Sequence, residues 1–121
     1  MALILVADDE YFLAVMLADM LEDEGHEVQT APNGQAALDI MRQDKPALLI
    51  TDFMMPIMTG LELAEAMHAD DALADIPIIL VSGAQGGIAR EKPELFQAVF
   101  DKPYPREGLL AEVERMLNGK V

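Results

Sequence analysis

The sequence lacks cysteine and tryptophan, has few basic side chains, and contains no long apolar run. The absence of cysteine excludes disulfides and thiolate zinc sites, and fits a reducing compartment. No apolar stretch approaches the roughly 20 residues that a membrane-spanning helix needs, and Met1–Ala7 has neither the basic flank nor the cleavage pattern of a signal peptide. We therefore expect a cytoplasmic protein without membrane insertion.

Negative charge dominates the chain, because 22 acidic residues outnumber 8 basic ones and give a net charge of -14. Such a surface would repel a phosphate backbone, so direct nucleic-acid binding is not expected. Most of the carboxylates are expected only to solvate the surface. The functional candidates are those that the fold brings together.

The composition is that of a soluble globular protein, with 52% hydrophobic and 25% charged residues. A chain of 121 residues can form one domain with a sizeable core and is too short for two. No linker, internal repeat or low-complexity tract divides it. We therefore expect one domain over residues 1–121, with no output domain after Val121.

Apolar runs of strand length alternate along the chain with segments of helical periodicity. This alternation, with short connections, is typical of a parallel sheet covered by helices on both faces. Periodicity does not reveal the order of the strands in the sheet. The predicted strands are 2–7, 26–30, 47–52, 76–81 and 98–101, and the predicted helices are 10–24, 33–45, 59–67, a short or irregular one within 84–93, and 105–118.

Four predicted strands end in polar side chains, namely Asp8 and Asp9, then Asp52, Ser82 and Lys102. In a parallel sheet these strand ends share one edge. Packed carboxylates repel one another unless a cation neutralises them, and Mg2+ prefers oxygen ligands. A carboxylate beside such an ion can attack phosphorus, while a lysine and a hydroxyl share the charge of the phosphoryl group.

The roles that follow are Asp52 as nucleophile, with Lys102 and Ser82 as phosphoryl contacts. Each of these residues taken singly is ordinary at a strand end, where solvated polar side chains are common. That simpler interpretation does not account for all four strand ends together.

Four motifs, in this order and spacing, resemble the receiver domain of two-component response regulators over essentially the whole chain. They are Asp8–Asp9, the segment Asp52–Gly60, Ser82–Ala84 and Lys102–Pro103. The resemblance implies an α/β flavodoxin-like doubly wound (βα)5 sandwich, whose five-stranded parallel sheet has the order 2-1-3-4-5. It also implies a phosphoacceptor switch in a phosphorelay, which is no enzyme beyond its own phosphotransfer and autodephosphorylation.

The family resemblance assigns partners as well as the phosphoacceptor. Asp52 would accept a phosphoryl group from a sensor histidine kinase or a histidine phosphotransfer protein, with Ser82 and Lys102 contacting that group. Phosphorylation would alter the surface of the fourth helix, fifth strand and fifth helix, and so control a downstream protein.

The same resemblance implies a bound Mg2+ ion, for which Mn2+ could substitute. Asp52, Asp9 and the backbone carbonyl of Met54 would bind it directly. Asp8 would be either a further ligand or a neighbour that contacts the ion through water.

Two features depart from the family pattern. Val99 stands where the family usually has Tyr or Phe, three residues before the lysine, and Phe100 falls on the opposite face of the strand. We hypothesise that signalling relies more on reordering a Gly86–Gly87 loop than on an aromatic rotamer change. Met54 and Ala84 offer no polar group to position water, so slow hydrolysis of the acyl phosphate is expected.

Other polar residues are given simpler roles. His26 and His68 have no partner at metal-ligand spacing and are predicted to be surface residues. Glu10 either adds to the acidic pocket or serves as a helix cap. The nine methionines are predicted to fill the core and pack loops.

The sequence also leaves alternatives to the phosphoacceptor switch. A magnesium-dependent phosphatase of the haloacid dehalogenase type would carry a second Asp two residues after the nucleophile, where this chain has Met54. A phosphate sink, or a receiver-like interaction module that is never phosphorylated, is the remaining alternative. The complete set of polar strand ends argues against the unphosphorylated module.

Overall fold

The computed structural model describes residues 2–83 and 86–118, so predictions that involve Met1, Ala84, Gly119 or Val121 lie outside the described residues. Strands and helices alternate as the sequence predicts, and no boundary is shifted by more than three residues. Among the described residues, no helix is long and apolar enough to cross a membrane. The elements are β1 (Leu3–Ala7), α1 (Tyr11–Asp23), β2 (Glu27–Ala31), α2 (Gly34–Gln43), β3 (Leu48–Asp52), α3 (Gly60–His68), β4 (Ile78–Ser82), α4 (Gly86–Arg90), β5 (Ala98–Asp101) and α5 (Arg106–Asn118).

The five strands form one parallel sheet in the order β2-β1-β3-β4-β5, which confirms the topology that the resemblance implied. Ala7 pairs with Thr51 across β1 and β3. Ser82 pairs with Asp101 across β4 and β5. The residues that follow these pairs, Asp8, Asp52 and Lys102, therefore leave the sheet at the same edge.

The apolar core lies on both faces of the sheet, because alternate residues of each strand point to opposite faces. Ile4, Ile50 and Ile79 belong to the cluster that includes α1 and α5. Leu5 and Leu49 belong to the cluster that includes α2 and α3. Every residue of β3 and β4 is buried, as expected for the central strands of a doubly wound sheet.

The helix starts at α2 and α3 follow from local capping chemistry. The Asn33 side chain accepts a hydrogen bond of 2.8 Å from the backbone N–H of Ala36. Thr59 and Glu62 form the predicted capping box, in which each side chain accepts a hydrogen bond from the other residue's backbone N–H. These capping hydrogen bonds determine where α2 and α3 begin.

The fourth helix is short, as predicted, and covers only five residues. However, Gly86 and Gly87 lie in its first turn, so the expected Gly86–Gly87 loop is wrong. Glycine costs a helix about 1 kcal/mol per residue relative to alanine, so α4 depends on tertiary packing to offset that cost. Tertiary contacts hold α4 in place: Ala89 is fully buried, and the Arg90 guanidinium donates to Asp101 at 3.1 Å.

The two histidines behave differently. His68 is exposed, as predicted. His26 is only partly exposed, because its side chain is 10% accessible and its Nε2 lies 2.7 Å from Glu114 Oε2. The chain turns at Gly25, whose φ of 93° suits glycine, and this turn brings His26 next to α5. His26 and Glu114 are 88 residues apart along the chain, so the spacing of residues in the sequence does not reveal this contact.

The start of α3 packs closely against the end of β3 at Gly60. Its N–H donates to Phe53 O at 2.8 Å, and a Cβ built on Gly60 would lie 2.2 Å from Asp52 O. No side chain can occupy that space without moving the backbone that carries Asp52. We therefore expect Gly60 to be required by the closeness of these two elements.

We predict that Gly60→Ala lowers the free energy of unfolding by about 2 kcal/mol or more, because the added methyl group forces the backbone apart. Urea unfolding followed by circular dichroism measures this. Gly87→Ala is the matched control, since a Cβ there meets nothing within 4 Å. Equal stability of the two variants would contradict the prediction.

Candidate functional site

Asp52 lies at the carboxyl end of the central strand β3 and is only 8% exposed. Its Oδ1 accepts a hydrogen bond of 2.8 Å from the backbone N–H of Phe53. Its Oδ2 lies 3.2 Å from Lys102 Nζ. One carboxylate oxygen is therefore held by the backbone, while the other faces a cation.

Lys102 reaches Asp52 from the end of β5. Its backbone N–H donates to Ser82 O at 2.8 Å, and its peptide bond to Pro103 is cis. Burial by itself lowers the pKa of the Lys102 ammonium group, but the charges of Asp52 and Asp8 and the hydrogen bond to Asp52 outweigh it. The pKa is therefore raised above its ordinary value, and the group is a cation at neutral pH.

Asp8 is the second carboxylate beside this lysine, with its Oδ2 3.8 Å from Lys102 Nζ. Burial raises the pKa of Asp8, and the nearby charges of Asp52 and Asp9 raise it further. The hydrogen bond from the Glu10 N–H, 2.9 Å long, and the charge of Lys102 lower it, but the net direction is upward. The ionised form of Asp8 is thus disfavoured where it stands.

Glu10 joins Asp8 and Asp52 in an acidic cluster, in which one carboxylate oxygen from each residue lies within 4.8 Å of those from the other two. Glu10 is also the N-cap residue of α1, but its side chain makes no capping hydrogen bond. Of the two roles left open for Glu10, the structure therefore favours the acidic pocket. The position of Glu10, directly after Asp8 and Asp9, was the sequence signal for its place in the acidic pocket.

The other predicted metal ligands lie outside this cluster. Asp9 is exposed and does not share the cluster with Asp8, although it follows it directly. Met54 lies two residues beyond Asp52, and its side chain is 57% exposed. The ligand roles of Asp9 and of the Met54 carbonyl stay predictions.

The acidic cluster fits a hard divalent cation. Its donors are carboxylate oxygens only, which is the ligand chemistry that Mg2+ and Ca2+ prefer over softer metals. Three such groups so close together repel one another, and a single ammonium group only partly compensates them. A divalent ion at this position would relieve the excess negative charge.

Ser82 is the last residue of β4 and is completely buried. The register pairs Asp52 with Val81, so Ser82 follows on the strand next to that of Asp52. Its carbonyl accepts the hydrogen bond from Lys102 that joins the ends of β4 and β5. The predicted hydroxyl residue therefore sits at the same sheet edge as the predicted nucleophile.

Val99 and Phe100 occupy opposite faces of β5, as predicted. Val99 packs against the cluster on the α2, α3 and α4 side, whereas Phe100 packs against the cluster that contains α1 and α5. Arg90, the last residue of α4, donates to the carbonyl of Val99 at 3.4 Å as well as to Asp101. In place of an aromatic side chain, this part of the fold therefore has an arginine that connects α4 to β5.

Tyr104 is a neighbour of the site that the sequence analysis missed. It lies two residues after Lys102 and is half-buried against the cluster of α1 and α5. Burial raises the pKa of its hydroxyl, with a smaller lowering by Lys102 and a smaller raising by Asp8. Its position just after the lysine and proline was the only sequence signal.

Comparisons with known proteins agree with this arrangement. Residues 4–114 match the family model described as the response regulator receiver domain. The chain is 39% identical over 117 residues to the phosphate regulon transcriptional regulatory protein PhoB of Pseudomonas aeruginosa, covering 94% of this chain and 51% of PhoB. It is 31% identical over 121 residues to Protein PilH of the same organism, covering 98% of this chain and 100% of PilH.

Among solved structures, the receiver domain of a signal transduction histidine kinase from Syntrophus aciditrophicus is similar, with a TM-score of 0.91 and 27% sequence identity. The match covers 99% of this chain and 92% of that one. Some curated relatives are much longer, and the chain spans only 12% of one and 51% of another.

The crowding of Asp8 predicts a measurable effect on stability. Because its pKa is raised in the folded chain, its contribution to stability falls as the pH rises from about 4 through that pKa. At pH 7, without divalent ions, Asp8→Asn should therefore raise the midpoint of thermal unfolding. Adding MgCl2 should stabilise this variant less than the wild type, since one carboxylate is missing.

Asp19→Asn, which removes an exposed carboxylate on the neighbouring helix α1, is the control. It should leave both the midpoint and the response to MgCl2 nearly unchanged. A lower midpoint for Asp8→Asn than for the wild type without divalent ions would contradict the account.

Proposed function

The chain belongs to the family of response regulator receiver domains, and we propose that it is a phosphoacceptor switch in which Asp52 receives a phosphoryl group from a phosphohistidine. The observation that carries this proposal is the pairing of a nearly buried carboxylate, Asp52, with Lys102 at 3.2 Å beside a cluster of carboxylates. A lysine so placed can neutralise charge on a phosphoryl group attached to Asp52.

In the proposed transfer, an Asp52 carboxylate oxygen attacks phosphorus as the bond from phosphorus to the donor imidazole nitrogen breaks. The imidazole leaves with its electron pair and takes up a proton from solvent. Lys102 neutralises charge on the phosphoryl oxygens, and the Ser82 hydroxyl donates to one of them. The acyl phosphate that results is the signalling state.

Mg2+ fits the same site and, when bound, would neutralise phosphoryl charge beside Asp52. Asp8, Glu10 and Asp52 are the residues whose carboxylates are placed to hold it. The family resemblance adds Asp9 and the Met54 carbonyl as direct ligands. Mn2+ has the same preference for oxygen ligands and would substitute.

The donor must approach an edge of the fold that carries exposed apolar side chains. Tyr11 and Phe12 follow directly after Glu10 and are 79% and 73% exposed. Ile57, in the connection that follows Asp52, is 79% exposed and has a φ of 71°, which is unfavourable for a β-branched residue. Apolar surface next to a reactive carboxylate suits docking of a protein donor. We take that donor to be a sensor histidine kinase or a histidine phosphotransfer protein, in the cytoplasm.

The output we propose is a change at α4, β5 and α5 that a downstream protein partner recognises. Val99 cannot act as a rotating aromatic residue, and the Arg90 contacts tie α4 to β5 instead. Direct binding of nucleic acid is not part of the proposal, because the net charge is -14. The proposal also includes slow hydrolysis of the acyl phosphate, since the Met54 side chain offers no polar group to an attacking water.

The phosphoacceptor role is tested by incubating the chain with acetyl phosphate and MgCl2 and measuring the intact mass. The wild type should gain the mass of one phosphoryl group, and Asp52→Ala should gain none. Asp101→Ala, at the same sheet edge but outside the acidic cluster, should still be modified. An unchanged wild-type mass would favour the alternative of an unphosphorylated interaction module.

The proposed output route is tested by amide hydrogen exchange with and without beryllofluoride as a phosphoryl mimic. We expect the mimic to change exchange in residues 86–96, because α4 is only five residues long and so has little helical stability of its own. Arg90→Gln should raise exchange there even without the mimic. Arg42→Gln, which removes a weaker surface pair 3.9 Å long with Asp70, is the control. Equal exchange in residues 86–96 under all conditions would refute this route.

A further inference from the structure

A cavity of about 440 Å3 lies next to the acidic cluster, between α1 and the segment that follows β5. Ile50 and Val81 of the central strands form part of its floor. Leu13 and Met16, both exposed, line it on the side of α1, and Tyr104 lines it after β5. The cavity is therefore apolar along most of its surface, and the exposed wall at α1 gives a route of entry.

The polar side chains at one end of the cavity already have partners within the protein. The Lys102 ammonium group lies 3.2 Å from Asp52 Oδ2 and 3.8 Å from Asp8 Oδ2. The other oxygen of each carboxylate accepts a hydrogen bond from a backbone N–H, and the Thr51 hydroxyl donates to Asp52 O at 2.9 Å. The third carboxylate of the acidic cluster, that of Glu10, is exposed and does not line the cavity.

These existing contacts decide what charge a ligand can carry. An organic ammonium group would have to displace Lys102 from its two carboxylates, and an organic carboxylate would face two negative charges. Either charged group would also lose its hydration inside the apolar cavity without gaining a new partner. A neutral molecule avoids both costs, because it leaves the ion pairs as they stand.

The volume and the walls decide the size and kind of molecule. An apolar cavity of about 150 Å3 stays dry and binds benzene, so about 440 Å3 leaves room for a second ring even with one end polar. The volume also falls in the range of roughly 300–1,000 Å3 for small-molecule sites. The Tyr104 ring and the Met16 thioether both line the cavity, and both make favourable contacts with aromatic rings. The walls therefore favour an aromatic molecule over an aliphatic chain.

We propose that this cavity binds a neutral aromatic molecule of two fused rings, with about ten carbons. Its rings pack between Leu13 and Met16 on one side and Tyr104 on the other, against the central strands. The molecule lies wholly inside the cavity, so a charged substituent could not keep its hydration. Binding needs no change at Asp52, so it does not depend on the proposed function.

The test uses three probes that share the naphthalene ring system and differ in headgroup charge, namely naphthalenemethanol, naphthylmethylamine and naphthoate. Each is titrated into the unphosphorylated chain, with EDTA to remove divalent ions and with physiological salt to screen the net charge of -14. Amide chemical shifts are followed by two-dimensional NMR. Naphthalenemethanol should bind saturably and at least about fivefold tighter than either charged probe, with the largest shifts on residues that line the cavity. Benzyl alcohol should bind at least about fivefold weaker than naphthalenemethanol, because one ring buries less apolar area.

Two tryptophan variants separate the cavity from other surfaces. Leu13→Trp, at an exposed position on its wall, should weaken naphthalenemethanol binding at least about tenfold by filling the space. Ile88→Trp, at a similarly exposed position on α4 outside the cavity, should bind like the wild type. Circular dichroism shows whether each variant is folded.

Two threonine variants test the apolar character of the walls. Val81→Thr places a hydroxyl on the floor of the cavity at nearly constant volume, and a bound ring system would leave that hydroxyl without a partner. Naphthalenemethanol should therefore bind at least about threefold more weakly. Val113→Thr, at a buried position in the same apolar cluster but outside the cavity lining, should bind like the wild type.

Several outcomes would each overturn the proposal. These are a charged probe that binds as tightly as naphthalenemethanol, unchanged binding by a folded Leu13→Trp or Val81→Thr variant, and the absence of saturable binding by the wild type. If Leu13→Trp does not fold, the probe series and Val81→Thr decide. The mass experiment with acetyl phosphate measures a different event, at Asp52, so the failure of one proposal leaves the other standing.

Discussion

Carboxylates held close together around one lysine are the constraint on which the rest of this structure depends. Asp8, Glu10 and Asp52 each have an oxygen within 4.8 Å of the others, and within the described part of the chain Lys102 is the cation that pairs with Asp8 and Asp52. Isolated chains of this composition would keep such groups apart. The parallel sheet brings them together because its strands end at one edge, and the fully buried strands β3 and β4 supply the stability that this crowding opposes.

Because these charges are crowded, the site is sensitive to any ion or charged group that is added to it. A divalent cation and a phosphoryl group each change the balance between carboxylates and lysine, so each can bias the positions of Lys102 and of its neighbours. Lys102 is attached to β4 through its hydrogen bond with Ser82. A charge change at Asp52 therefore reaches two strands directly, without any long chain of intermediates.

The path that we propose from the site to the surface differs from the aromatic switch usual in the family. Val99 is small and faces the α4 side, while Phe100 faces α5. The five-residue helix α4 is held by the burial of Ala89 and by the contacts of Arg90 with β5. A helix with so little of its own stability can shift when the end of β4 or β5 moves. Helix α1 serves the other side of the site, since it supplies both exposed apolar residues and one wall of the cavity.

The sequence by itself determined the alternation of elements, the caps of α2 and α3, and the strand ends at Asp52, Ser82 and Lys102. These follow from local rules of periodicity and capping, and the order of the strands followed from family resemblance. Only the tertiary structure decided that Glu10, not the exposed Asp9, joins Asp8 and Asp52, because packing of α1 against the sheet sets where each successive side chain points. It likewise decided the contact of His26 with Glu114, the helical conformation of Gly86–Gly87, and the cavity behind the site. Each of these depends on residues distant in the chain, whose relative positions no local pattern encodes.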